Sequence, residues 1–130
     1  MKRDYDTIRD ILLYVESLHM EGEPIYCESL DINSEDKIKI YKLCVHCDML
    51  QDAGYIKNIY LQKNEKGQLC GVILSIAELT MKGHDFLDNI RDNNRWTKIK
   101  QLFMKESGNL AISIVENIAY ELVKRSISIL

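Results

Sequence analysis

An α+β fold of winged helix-turn-helix type is predicted, with three helices, a two-stranded β-hairpin wing and a C-terminal helical extension. Three observations carry it. A helical run closes on Ala53-Gly54, two strand-like segments with a polar tip follow it, and a helix opened by Thr80 comes next. The order helix, short strand, tight turn, helix, hairpin is that of a winged helix. The core is expected to occupy residues 1–92 and the extension residues 93–130.

The first helix is legible in "DYDTIRDILLYVESLHM", where Ile8, Ile11, Leu12, Val15, Leu18 and His19 recur at three- and four-residue steps. Asp4 and Asp6 stand where a capping oxygen and the helix dipole favour a carboxylate. Gly22 and Pro24 end the run. Ile25 to Cys27 reads as a brief strand and Glu28 to Leu30 as a tight helical turn.

The second long helix lies in "NSEDKIKIYKLCVHCDMLQDAG". Asn33 or Ser34 can cap it, Ile40, Leu43, Cys44, Cys47 and Leu50 form its core stripe, and Gly54 supplies a left-handed stop. Val45 and Met49 fall outside that stripe, so the helix is apolar over a wide arc.

Tyr55 to Gln62 and Cys70 to Ile76 read as strands, the latter with Cys70, Val72, Leu74 and Ile76 on one face. Between them "KNEKGQ" is a turn in which Gly67 can take positive φ. Thr80 then caps a helix through about Asp92 that turns Phe86, Leu87 and Ile90 inward, while Gly83 in its first turn permits close backbone approach. Asn93-Asn94 reads as a break, after which Trp96, Ile99, Leu102 and Phe103 resume helical spacing. Ser107-Gly108-Asn109 breaks the pattern again. The last helix places Ile112, Val115, Ala119, Leu122 and Val123 on one arc, with Ile114 and Ile118 beside it.

Composition narrows the function classes. With 130 residues the chain is long enough to bury a core without staples. A net charge of −3 does not fit a strongly basic nucleic-acid binder, although a local patch can act against an acidic average. The first ten residues are charged and their apolar positions spaced, which fits neither a signal peptide nor a membrane span. A cytoplasmic protein is expected, and disulfides among its four cysteines are not. Cys44 and Cys47 share a helical face, but a structural zinc needs two further ligands, and neither Cys27 nor Cys70 belongs to a second close pair. Core packing is the better reading of both. No metal or cofactor is expected.

Beyond the fold, "MKRDYDTIRDILLYVE", "HCDMLQDAGYI" and above all "LTMKGHDFLDNIRDNNRWTKIK" resemble the family called domain of unknown function 2513. The resemblance covers nearly the whole chain. It implies a winged-helix core with C-terminal helices and a phage or prophage setting, and it implies no assigned activity. The Cys44/Cys47 pair and the slender "PIYCESLDI" region depart from the family's usual pattern.

In winged helices the second helix of the pair can enter the major groove while the hairpin touches the flanking backbone. By similarity, Lys42, Val45, His46 and Met49 would face outward, flanked by Lys37, Lys39 and Tyr41, and Lys57, Lys63 and Lys66 would meet phosphates from the wing. Double-stranded DNA is therefore one expected partner. Two features oppose it. Val45 and Met49 are poor base readers, with no arginine from Asp10 through Ile90, and Asp48 and Asp52 add negative charge to the reading helix. The competing expectation is a protein-interaction or assembly module using Val45, Met49 and the last helix. Ile114, Ile118 and Leu122 would then sit in a homodimer contact.

A second basic run, Arg95, Lys98, Lys100 and Lys105, surrounds Trp96 and Phe103 and is better read as an amphipathic helix with its aromatics buried. His84, Asp85, Asp88 and Asp92 do not converge into a catalytic set, because Arg91 and Arg95 can neutralise the acidic stripe. No nucleophile elbow, phosphate-cradling glycine loop or metalloprotease helix is present, so no enzyme is expected.

Overall fold

The computed structural model describes residues 2–18, 37–104 and 110–128. The expected strand at 25–27, the turn at 28–30, the caps at 33 and 34, and the break at 107–109 lie outside them. The described residues form an α+β protein with five helices and two small antiparallel ladders. By compactness the chain groups into Arg3–Gly83 and His84–Leu130, a division that falls inside a helix, while the expected core and extension meet at 92/93.

In the first unit, α1 (Tyr5–Ser17) is capped by Asp4, whose carboxylate accepts from the backbone N–H of Asp6 and Thr7 at 3.0 and 3.2 Å. Its stripe of Ile8, Ile11, Leu12, Val15 and Leu18 is buried as the spacing predicts, and Tyr5 joins it. The second helix, α2 (Lys37–Asp52), packs on α1 and sends Cys44, Cys47 and Leu50 into the same core. Both thiols are fully buried, in keeping with their packing role. Gly54 ends the segment at φ +87°, and the N–H of Tyr55 reaches back to the Leu50 carbonyl at 2.9 Å.

The expected pair of strands is broken in two. β1 (Ile56–Lys57) pairs with β4 (Glu78–Leu79), and β2 (Tyr60–Lys63) pairs with β3 (Leu69–Ile73). Asn58, at φ +64°, turns the chain between β1 and β2, and the Gln51 side chain of α2 accepts from the Ile59 N–H at 3.0 Å. Gly67 takes φ +77° in the hairpin tip as the turn requires.

The register shifts after Gln62. Gln62 faces Gly71 and Lys63 faces Leu69, which leaves Cys70 as an extra residue in a bulge. That corrects the period-two reading. Cys70 is exposed, Val72 half-buried, and Ile76, beyond the end of β3, is 48% exposed. Leu74 alone of the four is fully buried.

α3 (Met81–Ile90) starts where β4 stops. The Thr80 hydroxyl donates to the Gly54 carbonyl at 2.5 Å and accepts the Gly83 N–H at 3.0 Å, and the Thr80 N–H donates to the Tyr55 carbonyl at 3.0 Å. One residue thus caps the helix and pins it to the end of α2. Thr80→Val keeps the volume and removes both hydroxyl bonds. It is expected to lower stability by about 1–2 kcal/mol, read as a shift of the urea midpoint at constant slope.

In the second unit, α4 (Asn93–Met104) packs on α5 (Ile112–Ser128). Asn93 and Asn94 are the first residues of α4 rather than a break. Asp92 is its cap and accepts the Arg95 N–H at 2.7 Å. Trp96, Ile99 and Phe103 are buried, with Trp96 and Phe103 edge to face at 6.2 Å, while Leu102, expected inward, is 42% exposed. Phe86, Leu87, Ile90, Val115 and Ala119 are buried as read. No described helix is long and apolar enough to cross a membrane.

Candidate functional site

The face of α2 decides what this protein can present. Cys44, Cys47 and Leu50 point into the core, and Ile40, Leu43, Val45 and Met49 are half-buried. Three- and four-residue steps from Ile38 through Tyr41, Val45 and Asp48 to Asp52 trace one stripe. Ile38 is 79% and Tyr41 45% exposed, Val45 is half-buried, and Asp48 and Asp52 are exposed. The stripe is apolar at its start and acidic at its end. No basic residue lies on it.

The expected base-reading residues are placed otherwise. His46 is fully buried, which corrects its outward assignment. Its Nε2 accepts the N–H of Asp4 at 2.9 Å, so the proton sits on Nδ1, which donates to the Lys42 carbonyl at 2.7 Å. The ring joins the start of α1 to the body of α2. Burial pushes the imidazole below its usual range, against the opposing effects of the Lys42 carbonyl and the Asp4 charge. Lys42 is half-buried and its ammonium is paired with the second carboxylate oxygen of Asp4. Burial alone would raise the Asp4 carboxyl, but the Lys42 and Thr7 hydrogen bonds outweigh it and hold the group below its ordinary value. The Lys42 charge is thus compensated by Asp4, while its side chain stays 38% exposed.

Lys39 is exposed next to the stripe, and Lys37 opens α2 with its side chain outside the described residues. Lys57 is exposed and lies 3.5 Å from Glu78. Lys63 and Lys66 are exposed on β2 and at the hairpin tip, where the Lys66 N–H donates to the Asn64 side chain at 2.9 Å. Between α2 and the hairpin runs a cleft of about 910 Å³ lined by Ile40, Tyr41, Asp48, Leu61, Lys63 and Leu69 among others. The structure therefore brings Tyr41 and Lys63 to one cleft, buries His46, pairs the half-buried Lys42 with Asp4, and leaves Lys57 on β1 and Lys66 at the hairpin tip.

The residues of the second unit fall into place separately. Ile114 is 45% exposed, and Ile118 and Leu122 are half-buried. Arg95 donates to the Asn89 carbonyl at 3.4 Å, Lys98 is exposed, and Lys100 lies 5.9 Å from the Trp96 ring centre. Lys105 is outside the described residues. Asp88 pairs with Arg91 at 2.8 Å and His84 is exposed. Among the described residues no group of three His, Cys, Asp or Glu side chains could hold a metal ion.

Comparison with known proteins adds kinship. A family model described as "Hypothetical protein (DUF2513)" matches residues 2–109. An uncharacterized protein of Haemophilus influenzae (strain ATCC 51907 / DSM 11121 / KW20 / Rd) is 28% identical over 130 residues, spanning 98% of this chain and 100% of that one. No solved structure matches.

Proposed function

The chain belongs to the DUF2513 family, and from that premise we propose that it is a non-enzymatic winged-helix protein acting as a protein-interaction module, with the outward stripe of α2 as its contact face. The order α1, α2, β2–β3 hairpin, α3 supports the winged-helix scaffold, with β2–β3 as the wing. One observation carries the functional reading. The helix that would enter the major groove presents Ile38, Tyr41, Val45, Asp48 and Asp52, while His46 is buried and Lys42 is paired with Asp4. Such a stripe offers a guanine edge no cationic or bidentate donor, only the Tyr41 hydroxyl, and its carboxylates repel phosphate. It suits the apolar side of a partner helix that carries basic residues at one end.

Site-specific photocrosslinking with benzoylphenylalanine at position 41, in the native host, is expected to trap a protein. The same probe at Lys57 on β1 is expected to trap none. Trapping of nucleic acid at position 41 would overturn the reading.

A second reading, duplex DNA held by the wing, is favoured by the exposure of Lys63 and Lys66. Titration of fluorescent duplex at about 50 and about 200 mM salt separates the two, since phosphate-driven binding falls steeply over that range. The interaction reading expects no tight binding at either concentration. Tight binding lost at the higher salt and weakened by Lys63→Ala and Lys66→Ala would establish the DNA reading instead.

A further inference from the structure

We propose that α5 is the contact between two copies of this chain, packed antiparallel through Glu116, Tyr120, Val123 and Ile127. The surface is separate from the α2 stripe and does not depend on its role.

Val115 and Ala119 bury one side of α5. Around the helix from them, Glu116, Tyr120, Val123 and Ile127 follow at steps of four, three and four, the spacing of a helix-pairing seam. Tyr120 is 55% and Ile127 65% exposed. Beside them, Tyr120, Val123, Lys124 and Ile127 line a shallow groove of about 310 Å³ with Asn89 of α3. This is an apolar strip with a depression wide enough for a side chain from outside.

Charge selects the occupant. Glu116 is the charged residue of the first half of α5, and Glu121, Lys124 and Arg125 leave the second half with a net positive charge. A second α5 running the opposite way sets acidic half against basic half, and a parallel one sets like against like. With the two helices crossing midway between Tyr120 and Val123, Tyr120 of each copy meets Val123 of the other. Lys124 of the second copy then comes within about one turn of Glu116.

That position matters because Oε1 of Glu116 is buried with no hydrogen-bond partner, and burial pushes the carboxyl up from its ordinary range. A buried acceptor without a donor is unfavourable, and turning this half-buried side chain outward to an ammonium from the facing helix would satisfy it. The same patch serves both copies, as a two-fold contact requires. The face differs from the one the sequence suggested, since Ile114, Ile118 and Leu122 lie to other sides of the seam.

Sedimentation equilibrium of the full chain over a wide concentration range is expected to give a reversible monomer–dimer equilibrium. Tyr120→Asp should raise the dimer dissociation constant by about 30-fold or more, the size expected for a central aromatic contact. Lys124→Glu and Glu116→Lys should each weaken the dimer, and the two together should restore it. Ile114→Asp should leave it unchanged. Circular dichroism and a thermal melt of each variant show that the fold is kept, and Lys124→Glu, at an exposed position, keeps the test available if Glu116→Lys unfolds. A monomer at every concentration overturns the proposal. So does a dimer indifferent to Tyr120→Asp, or a charge swap that fails to restore association when both single variants are folded.

Discussion

Gly83→Ala is expected to be among the most damaging single-methyl additions in this chain, lowering stability by about 3 kcal/mol or more, the upper end of overpacking penalties. A Cβ built at Gly83 falls 2.0 Å from the Tyr55 carbonyl oxygen and 3.0 Å from its carbon. Both are backbone atoms, so no side-chain rotation relieves the contact. The same carbonyl accepts the Thr80 N–H, and the Gly83 N–H donates to the Thr80 hydroxyl, so moving α3 away breaks the bonds that anchor it. Helix propensity runs the other way, favouring alanine over glycine by about 1 kcal/mol, and is outweighed.

Gly54 is the matched comparison. Its φ is +87° and nothing lies within 4 Å of an added Cβ, so Gly54→Ala is expected to cost only the left-handed backbone penalty of about 1–2 kcal/mol. Gly54→Asn should recover part of that loss, whereas Gly83→Asn should recover none. Thermal melts of the four variants measure both mechanisms. Equal losses for Gly83→Ala and Gly54→Ala would remove the close-approach argument.

What could be read in advance follows from where the information resides. The stripe of α1, the stop at Gly54, the cap at Thr80 and the close approach at Gly83 are encoded by residues a few positions apart, and their spacing discloses them. The kink at Asn58 and the bulge at Cys70 have no such signature. The residue after Asn58, Ile59, is held by the Gln51 side chain from α2, and the extra residue at Cys70 exists only relative to the opposite strand. Alternation along 70–76 therefore suggested an uninterrupted strand where the structure has a bulge and a turn.

At two places where the structure departs from expectation, the sequence does carry a local signal. Asp92 before Asn93 and Arg95 is a cap pattern, which makes the asparagines the start of a helix rather than a gap. Trp96, Ile99 and Phe103 already complete a stripe, and Leu102 falls beside it. His46 is a different case. Its partner on α1 is 42 residues away, and the exposure of α2 depends on which arc α1 covers. The α+β class was legible in local spacing, whereas the character of the candidate surface emerged only once α1 and α2 were packed.

The same long-range link makes His46 the second large effect. His46→Ala is expected to destabilise the protein by about 2–4 kcal/mol. The estimate combines the penalty for leaving the Asp4 N–H without its acceptor with the loss of packing around a fully buried ring. The Lys42 carbonyl loses a second donor at the same time. His46→Gln retains an acceptor and a donor on one side chain and is expected to lose about half as much, because its amide cannot meet both partners at the ring's spacing.

The pH dependence provides an independent check. In the fold the imidazole must stay neutral, since protonating Nε2 would set a donor against the Asp4 N–H. Its folded pKa is depressed, chiefly by burial, below the unfolded value of about 6.5. The unfolded chain therefore binds the proton more readily. The contribution of His46 is complete above pH 6.5 and is lost as the pH falls through the lower folded value. Asp4, also depressed, extends the loss further into acid, below its ordinary 3.8. Urea midpoints measured from about pH 8 to about pH 5 should decline in the wild type and stay nearly level in His46→Gln. If the two declined in parallel, the ring would not be buried neutral between Asp4 and Lys42. The stripe on α2 would then have to be redrawn with His46 facing outward, which restores the arrangement that favours DNA.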